Sequence, residues 1–194
     1  TKVNRRAFIK TSALASGGLL LGINFLSSCD SKAPMPKSTE ELDFTDFNAY
    51  IKIANNGRVT IYSPNPEIGQ GVKTSMPMVV AEELDIPWDH VTVEQIGLNT
   101  QHFKRQVAGG SQSIRQEWNT LRQAGATVKA LLVAAAAKKW AVSTDECHTE
   151  KGFVFNSKGE KLGYGDLVTE AVALDVPEQV EPKDPSAFSI IGTD

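Results

Sequence analysis

Cysteine is almost missing from this chain. Cys29 and Cys147 are the two such residues among 194, which excludes a disulfide-stapled scaffold and a cysteine-rich zinc or iron–sulfur module. Histidine is as scarce: His90, His102 and His148 lie far apart and show no ligand spacing. Basic residues do not outnumber acidic ones, and the formal net charge is −3, so a nucleic-acid partner is not expected. A membrane span needs about 20 predominantly apolar residues. The uncharged stretch from Thr11 to Cys29 is interrupted by Gly17, Gly18, Gly22, Asn24 and several serines, and does not meet that need. What remains is ordinary: 41% hydrophobic and 22% charged residues, the composition of one globular domain with appendages.

The charge is unevenly placed. Residues 1–28 contain Lys2, Arg5, Arg6 and Lys10 and no acid, so all 23 acidic residues follow. A basic start before an uncharged stretch has the shape of an export signal. Asn4-Arg5-Arg6-Ala7-Phe8-Ile9-Lys10 resembles the twin-arginine motif, with Arg5 and Arg6 as the export pair. Leu26-Ser27-Ser28-Cys29 resembles a bacterial lipobox, in which Cys29 would be lipidated and become the mature N-terminus. These resemblances imply a cleavable signal over 1–28, handling by the export machinery, and a membrane attachment on the periplasmic side through Cys29. The twin-arginine route carries folded proteins, which suits a protein loaded with a cofactor before export. Residues 29–46 are polar and aperiodic and read as a flexible tether.

From residue 47 the pattern predicts an α+β domain over 47–173: a mixed or antiparallel sheet with β-hairpins, packed on two main helices. Residues 48–54 and 58–63 alternate around Asn55-Asn56-Gly57, a hairpin signal. Met76, Val79, Val80 and Leu84 recur at helical spacing and predict a helix over 74–85, with Pro77 in its first turn. Residues 91–95 read as a strand. Ser113 and Gln116 form a Ser-x-x-Gln capping-box signature before a long helix over 114–140. Residues 153–156 and 160–162 flank Ser157-Lys158-Gly159 as a second hairpin, and a short helix is expected over 165–173. Residues 174–194 read as a linker to a further region, and Glu82-Glu83 as solvated helix charges.

Two places combine a strand, a glycine-containing loop and a helix start: Gly69-Gln70-Gly71, and Gly109-Gly110-Ser111-Gln112-Ser113. Helix starts present unpaired N–H groups and partial positive charge, and glycine lets a ligand approach the backbone. Either loop could hold a phosphate or the edge of a large cofactor. Each is also an ordinary structural device when taken singly. A dinucleotide fingerprint at Gly69-x-Gly71 with Glu94 as ribose ligand is disfavoured: Thr74 stands at the third glycine position, and two prolines interrupt the approach. Cys147-His148 diverge on any regular element, and no residue stands out as a general base.

At these loops the sequence resembles a known family. Glu67-Ile68-Gly69-Gln70-Gly71-Val72-Lys73-Thr74 with Ala81-Glu82-Glu83-Leu84 is similar to the molybdopterin-binding subunits of the xanthine dehydrogenase family. Gly109–Ser113, Trp118, Leu121–Ala126 and Tyr164-Gly165-Asp166-Leu167 narrow the resemblance to the isoquinoline 1-oxidoreductase beta-subunit group and its membrane-associated aldehyde dehydrogenase relatives, N-terminal portion only. The resemblance implies oxidative hydroxylation of an aldehyde or N-heterocycle, with water as the oxygen source. It implies molybdenum on a molybdopterin cytosine dinucleotide, and [2Fe-2S] clusters on a small partner subunit. It assigns cofactor contacts to Gly69, Gln70, Gly71, Gly110, Ser111 and Ser113, and no catalytic or metal-ligating residue to this chain. The family's base is a glutamate in the remainder of the large subunit, with which this chain would be joined. The competing reading is a truncated, non-catalytic exported lipoprotein that serves as a binding or assembly module.

Overall fold

The computed structural model describes residues 44–193. The readings that fall on the signal, on Arg5, Arg6 and Cys29, and on most of the tether lie outside the described residues.

The first sheet has four strands in the order β1 (Phe44–Asn48), β2 (Ile51–Ala54), β3 (Val59–Ser63), β4 (Val91–Gln95). Strand β1 begins inside the stretch read as tether. Its Asp46 is exposed and its Thr45, on the opposite face, only half-buried, as befits a strand at the sheet edge. The hairpin β2–β3 forms as expected. Ile51, Ile53, Val59 and Ile61 are fully buried, and Gly57 takes the left-handed φ of 82° that the turn requires. Strands β1 to β3 are antiparallel, whereas β4 runs parallel to β3, from Val59 opposite Val91 to Ser63 opposite Gln95. The sheet is therefore mixed.

Helix α1 (Val72–Glu83) makes the crossover from β3 to β4. It starts at Val72, earlier than the periodicity indicated, so Pro77 lies beyond the first turn. There its missing N–H leaves the Lys73 carbonyl without a helical partner. Helix α2 (Ser113–Trp140) crosses α1 closely. A Cβ on Gly125 would stand 2.7 Å from the Glu83 Cβ and 2.8 Å from the Val80 carbonyl oxygen. The expected capping box does not form. Gln112 is the N-cap, no side chain caps the helix, and Ser113 is already helical. At the other end Lys139 bonds the Asp166 carbonyl at 2.8 Å and Glu170 at 2.9 Å, in keeping with cations at a helix C-terminus.

A second, antiparallel sheet contains β5 (Cys147–Glu150), β6 (Phe153–Asn156) and β7 (Lys161–Gly163). The hairpin β6–β7 was legible in the sequence; β5, with little apolar content, was not. A 3-10 turn at Tyr164–Asp166 leads into α3 (Val168–Val172). Tyr164 is fully buried and its hydroxyl donates to the Leu84 carbonyl at 2.6 Å. Its ring and the side chains of Leu167 and Val154 continue the core formed by the first sheet, α1 and α2.

One expectation is corrected by the final segment. Glu82 and Glu83 are not solvated: they are 1% and 0% exposed. The stretch read as a linker folds back onto them. Glu82 accepts the Lys183 ammonium at 2.7 Å and the backbone N–H groups of Ser189, Ile190 and Ile191 at 2.7 to 3.0 Å. Glu83 accepts Arg122 Nε at 2.6 Å and the Lys183 N–H at 2.8 Å. Lys183 also meets Asp85 at 2.6 Å. Two buried carboxylates on one helix are tolerable because their oxygens are filled by cations and N–H groups.

Candidate functional site

The parallel pairing of β3 and β4 brings the chain out of both strands at the same end of the sheet. The connections that follow, 64–71 and 96–112, therefore lie side by side although more than one helix of sequence separates them. Asn65, fully buried, ties them together. Its side-chain amide donates to Ser113 Oγ at 2.8 Å and to the Val107 carbonyl at 3.4 Å. Gln106 adds a second tie, donating to the Pro64 carbonyl at 3.2 Å and the Gly97 carbonyl at 2.9 Å. Between the loops lies a cleft of about 450 Å³, with Gln70 on one wall and Gly109, Gly110, Ser111 and Ser113 on the other. The structure thus brings together the two glycine loops singled out from the sequence. Gly69 and Gly71 flank Gln70 on its loop.

The first wall carries an anion of its own. Glu67 Oε1 accepts the N–H groups of Gly69 at 2.7 Å and Gly71 at 3.0 Å, and Oε2 accepts that of Lys73 at 2.9 Å. Those N–H groups, chiefly of Lys73 and Gly71, hold the Glu67 carboxyl below its usual range. Gly69 and Gly71 have φ of 98° and 79°, which lets successive N–H groups converge. Gln70 accepts from the Ile68 N–H at 2.7 Å and donates to the Pro66 carbonyl at 3.0 Å. One N–H and one lone pair of its amide stay available for a ligand.

The second wall differs. Helix α2 has no side-chain cap and no acid in its first turn. Its third residue is Arg115, whose guanidinium meets Gln112 Oε1 at 2.7 Å and 3.1 Å. Gly110 and Ser111 take φ of 67° and 52°, and a left-handed serine is uncommon enough to mark a shaped loop. Arg105 braces that loop from behind, donating to the carbonyls of Val107 at 3.1 Å and Gly109 at 3.0 Å. Asn65 Oδ1 is buried without a hydrogen-bond partner beside this wall.

Asn65, Glu67, Arg105, Gln106 and Arg115 escaped the sequence reading. Glu67 could have been found, since it stands in the motif that carries the family resemblance, and an acid four residues ahead of the N-cap Gly71 lies near the positive end of the helix. The bonds by which Asn65 and Gln106 tie the two connections together span 42 or more residues and leave no local signal. Glu94 bonds Lys52 at 3.4 Å on the sheet surface, away from the cleft lining. His148 stacks on Phe155 with ring centroids 5.3 Å apart, while Cys147 is its neighbour on β5. Among the described residues no group of three His, Cys, Asp or Glu side chains could hold a metal, and no helix is long and apolar enough to cross a membrane.

Residues 12–188 match the model of the molybdopterin cofactor-binding domain. The chain is 32% identical to isoquinoline 1-oxidoreductase subunit beta of Brevundimonas diminuta over 91% of its own length and 23% of that protein's. It is 26% identical to the membrane-bound aldehyde dehydrogenase (pyrroloquinoline-quinone) of Gluconacetobacter polyoxogenes, over 87% of this chain and 21% of that one. The chain thus spans under a quarter of the length of these relatives. Its fold matches quinoline 2-oxidoreductase from Pseudomonas putida 86 with a TM-score of 0.51 at 18% identity, covering 68% of this chain and 17% of that one. With a family match over most of its length and two glycine loops closing on one cleft, the chain belongs to the molybdopterin cofactor-binding domain family.

Proposed function

We propose that this chain forms one part of the cofactor wall of a molybdenum hydroxylase large subunit that oxidises an aldehyde or an N-heterocycle. The observation that carries the reading is the meeting of the two glycine loops across a single cleft. When bound, a molybdenum-carrying molybdopterin supplies two-electron oxidation with water as the source of oxygen.

The residues present suit part of such a group. The uncapped start of α2 and the hydroxyls of Ser111 and Ser113 offer donors to an anionic or pterin edge, with the Arg115 charge close by. Gly110 keeps that wall open to a flat ligand, and the unpaired Asn65 Oδ1 leaves an acceptor beside it. Opposite, Gln70 presents its remaining N–H and lone pair between Gly69 and Gly71. This chain binds and orients rather than deprotonates: Glu67, the carboxylate on the loop, has its oxygens filled by N–H groups and its proton affinity lowered.

The cytosine dinucleotide form of the cofactor, a small subunit carrying [2Fe-2S] clusters, and export to the periplasmic side with lipid attachment at Cys29 belong to the same reading. They rest on the sequence motifs and on the similarity to subunits of oxidoreductases.

The test is Gln70→Ala in the protein made in its native host. Molybdenum per protein should fall severalfold while the fold persists. Unchanged molybdenum content and rate would remove Gln70 from the site. A stable parent protein free of molybdenum and pterin would favour the lipoprotein reading.

A further inference from the structure

The cleft has two walls built from the same parts, a glycine loop and a helix start, yet their charges are opposite. At the start of α1 three N–H groups already converge on an anion, the Glu67 carboxylate. At the start of α2 no acid and no cap occupies the N–H groups, and Arg115 adds a positive charge. The glycines of the first loop are not there for space, because a Cβ on Gly69 or Gly71 would meet nothing within 4 Å. Their positive φ values are what the structure uses. These conformations turn the N–H groups before and after Gln70 inward onto Glu67. Gln70, held also by Ile68 and Pro66, is then fixed at the cleft margin.

We propose that Glu67 is a positioning residue of this site: its carboxylate acts as a built-in anion that fixes the Gly69-Gln70-Gly71 loop, presents Gln70 to the pterin, and denies the start of α1 to phosphate. The presentation of Gln70 to a pterin rests on the molybdopterin reading above; the anchoring of the loop does not. A phosphate-bearing ligand entering the cleft faces, on one side, the Gln70 loop with the Glu67 carboxylate behind its lining and, on the other, the start of α2 with Arg115 just beyond the lining residues Ser113 and Ile114. It is thereby directed to the α2 wall. Because Glu67 is exposed and bonds only local backbone, its loss disturbs the loop and leaves the core in place.

The experiment uses the full-length protein from its native host with Glu67→Ala, Glu67→Asp, Gln70→Ala and the Glu67→Ala/Gln70→Ala pair. Residue-resolved hydrogen exchange reads the N–H groups of Gly69, Gly71 and Lys73. In Glu67→Ala these should exchange about tenfold faster or more, as expected for loss of charge-assisted hydrogen bonds. Inorganic phosphate should slow them again by filling the vacated place, while having no effect on them in the parent. Glu67→Asp should restore part of the protection.

Pterin content, read by fluorescence after acid extraction, then tests action through Gln70. Glu67→Ala and Gln70→Ala should each lower it, and the pair should lower it no further than Gln70→Ala alone. Unchanged exchange in Glu67→Ala, exchange insensitive to phosphate in that variant, or pterin losses that multiply in the pair would each overturn the proposal. Absence of pterin from the parent protein would overturn the molybdopterin reading instead, and the exchange and phosphate results would then decide the anchoring role by themselves.

Discussion

Exchanging Glu82 for glutamine removes one charge from the interior and changes almost no volume. In the native chain the carboxylate gathers the Lys183 ammonium and three consecutive backbone N–H groups, from Ser189 to Ile191. Burial alone would raise its pKa. The Lys183 hydrogen bond and the N–H groups of Ile191, Ile190 and Ser189 outweigh burial and bring it from 4.5 to about 2. A depression of that size corresponds to roughly 3 kcal/mol favouring the charged, docked form. Glutamine keeps one acceptor but turns an NH2 toward donors, and Lys183 retains only Asp85 as an acidic partner. The final segment should therefore lift from α1, with amide exchange at residues 189–191 accelerated by roughly a hundredfold. Core amides on β2 and β3 should be much less affected. The same interaction fixes a pH dependence. Because the folded carboxyl has the lower pKa, its stabilisation is complete above pH 4.5 and disappears as the pH falls toward about 2. Hydrogen exchange followed by mass spectrometry measures both effects. Equal protection of residues 189–191 in Glu82→Gln and parent, or a docked segment indifferent to pH across that window, would refute the reasoning.

Gly125→Ala should destabilise the domain by about 2–3 kcal/mol, because a methyl group there collides with the Val80 carbonyl and Glu83 across the helix crossing; urea unfolding measures it, and a neutral result would mean that the helices can part freely. Tyr164→Phe should cost about 1–2 kcal/mol by leaving the Leu84 carbonyl without its donor in a fully buried place. A thermal midpoint equal to the parent's would show that another donor reaches that carbonyl.

Much of the fold was legible because it is local. Asn55-Asn56-Gly57 and Ser157-Lys158-Gly159 name their hairpins by turn chemistry, and α1 is named by apolar spacing; α2 was found behind a capping signature that does not itself form. The failures are long-range. The parallel placement of β4 is a choice of partner that no local pattern encodes. Strand β1 hides its role behind polar residues at a sheet edge, and β5 does the same. Glu82-Glu83 looked solvated because their partners, Arg122 and Lys183, lie 39 or more positions away. Ser113 looked like a cap because its partner, Asn65, is 48 residues distant. Both glycine loops of the site were visible as motifs. That they share one cleft follows from the β3–β4 pairing, and so was not.

Helix α2 is a single rod of 28 residues, roughly 42 Å long at the α-helical rise. One end forms a wall of the cleft. The other is fastened near the second sheet by Lys139 to Asp166 and Glu170. Such a beam cannot bend at its tip without shifting its far anchor or sliding past Gly125, where no slack exists. Accommodation of ligands of different girth must then fall to the hinge-like connection between β4 and α2. Its shape is held by two replaceable struts, Arg105 and Gln106. Variation in cleft width among related chains should accordingly be written in that connection, while the helix keeps its length.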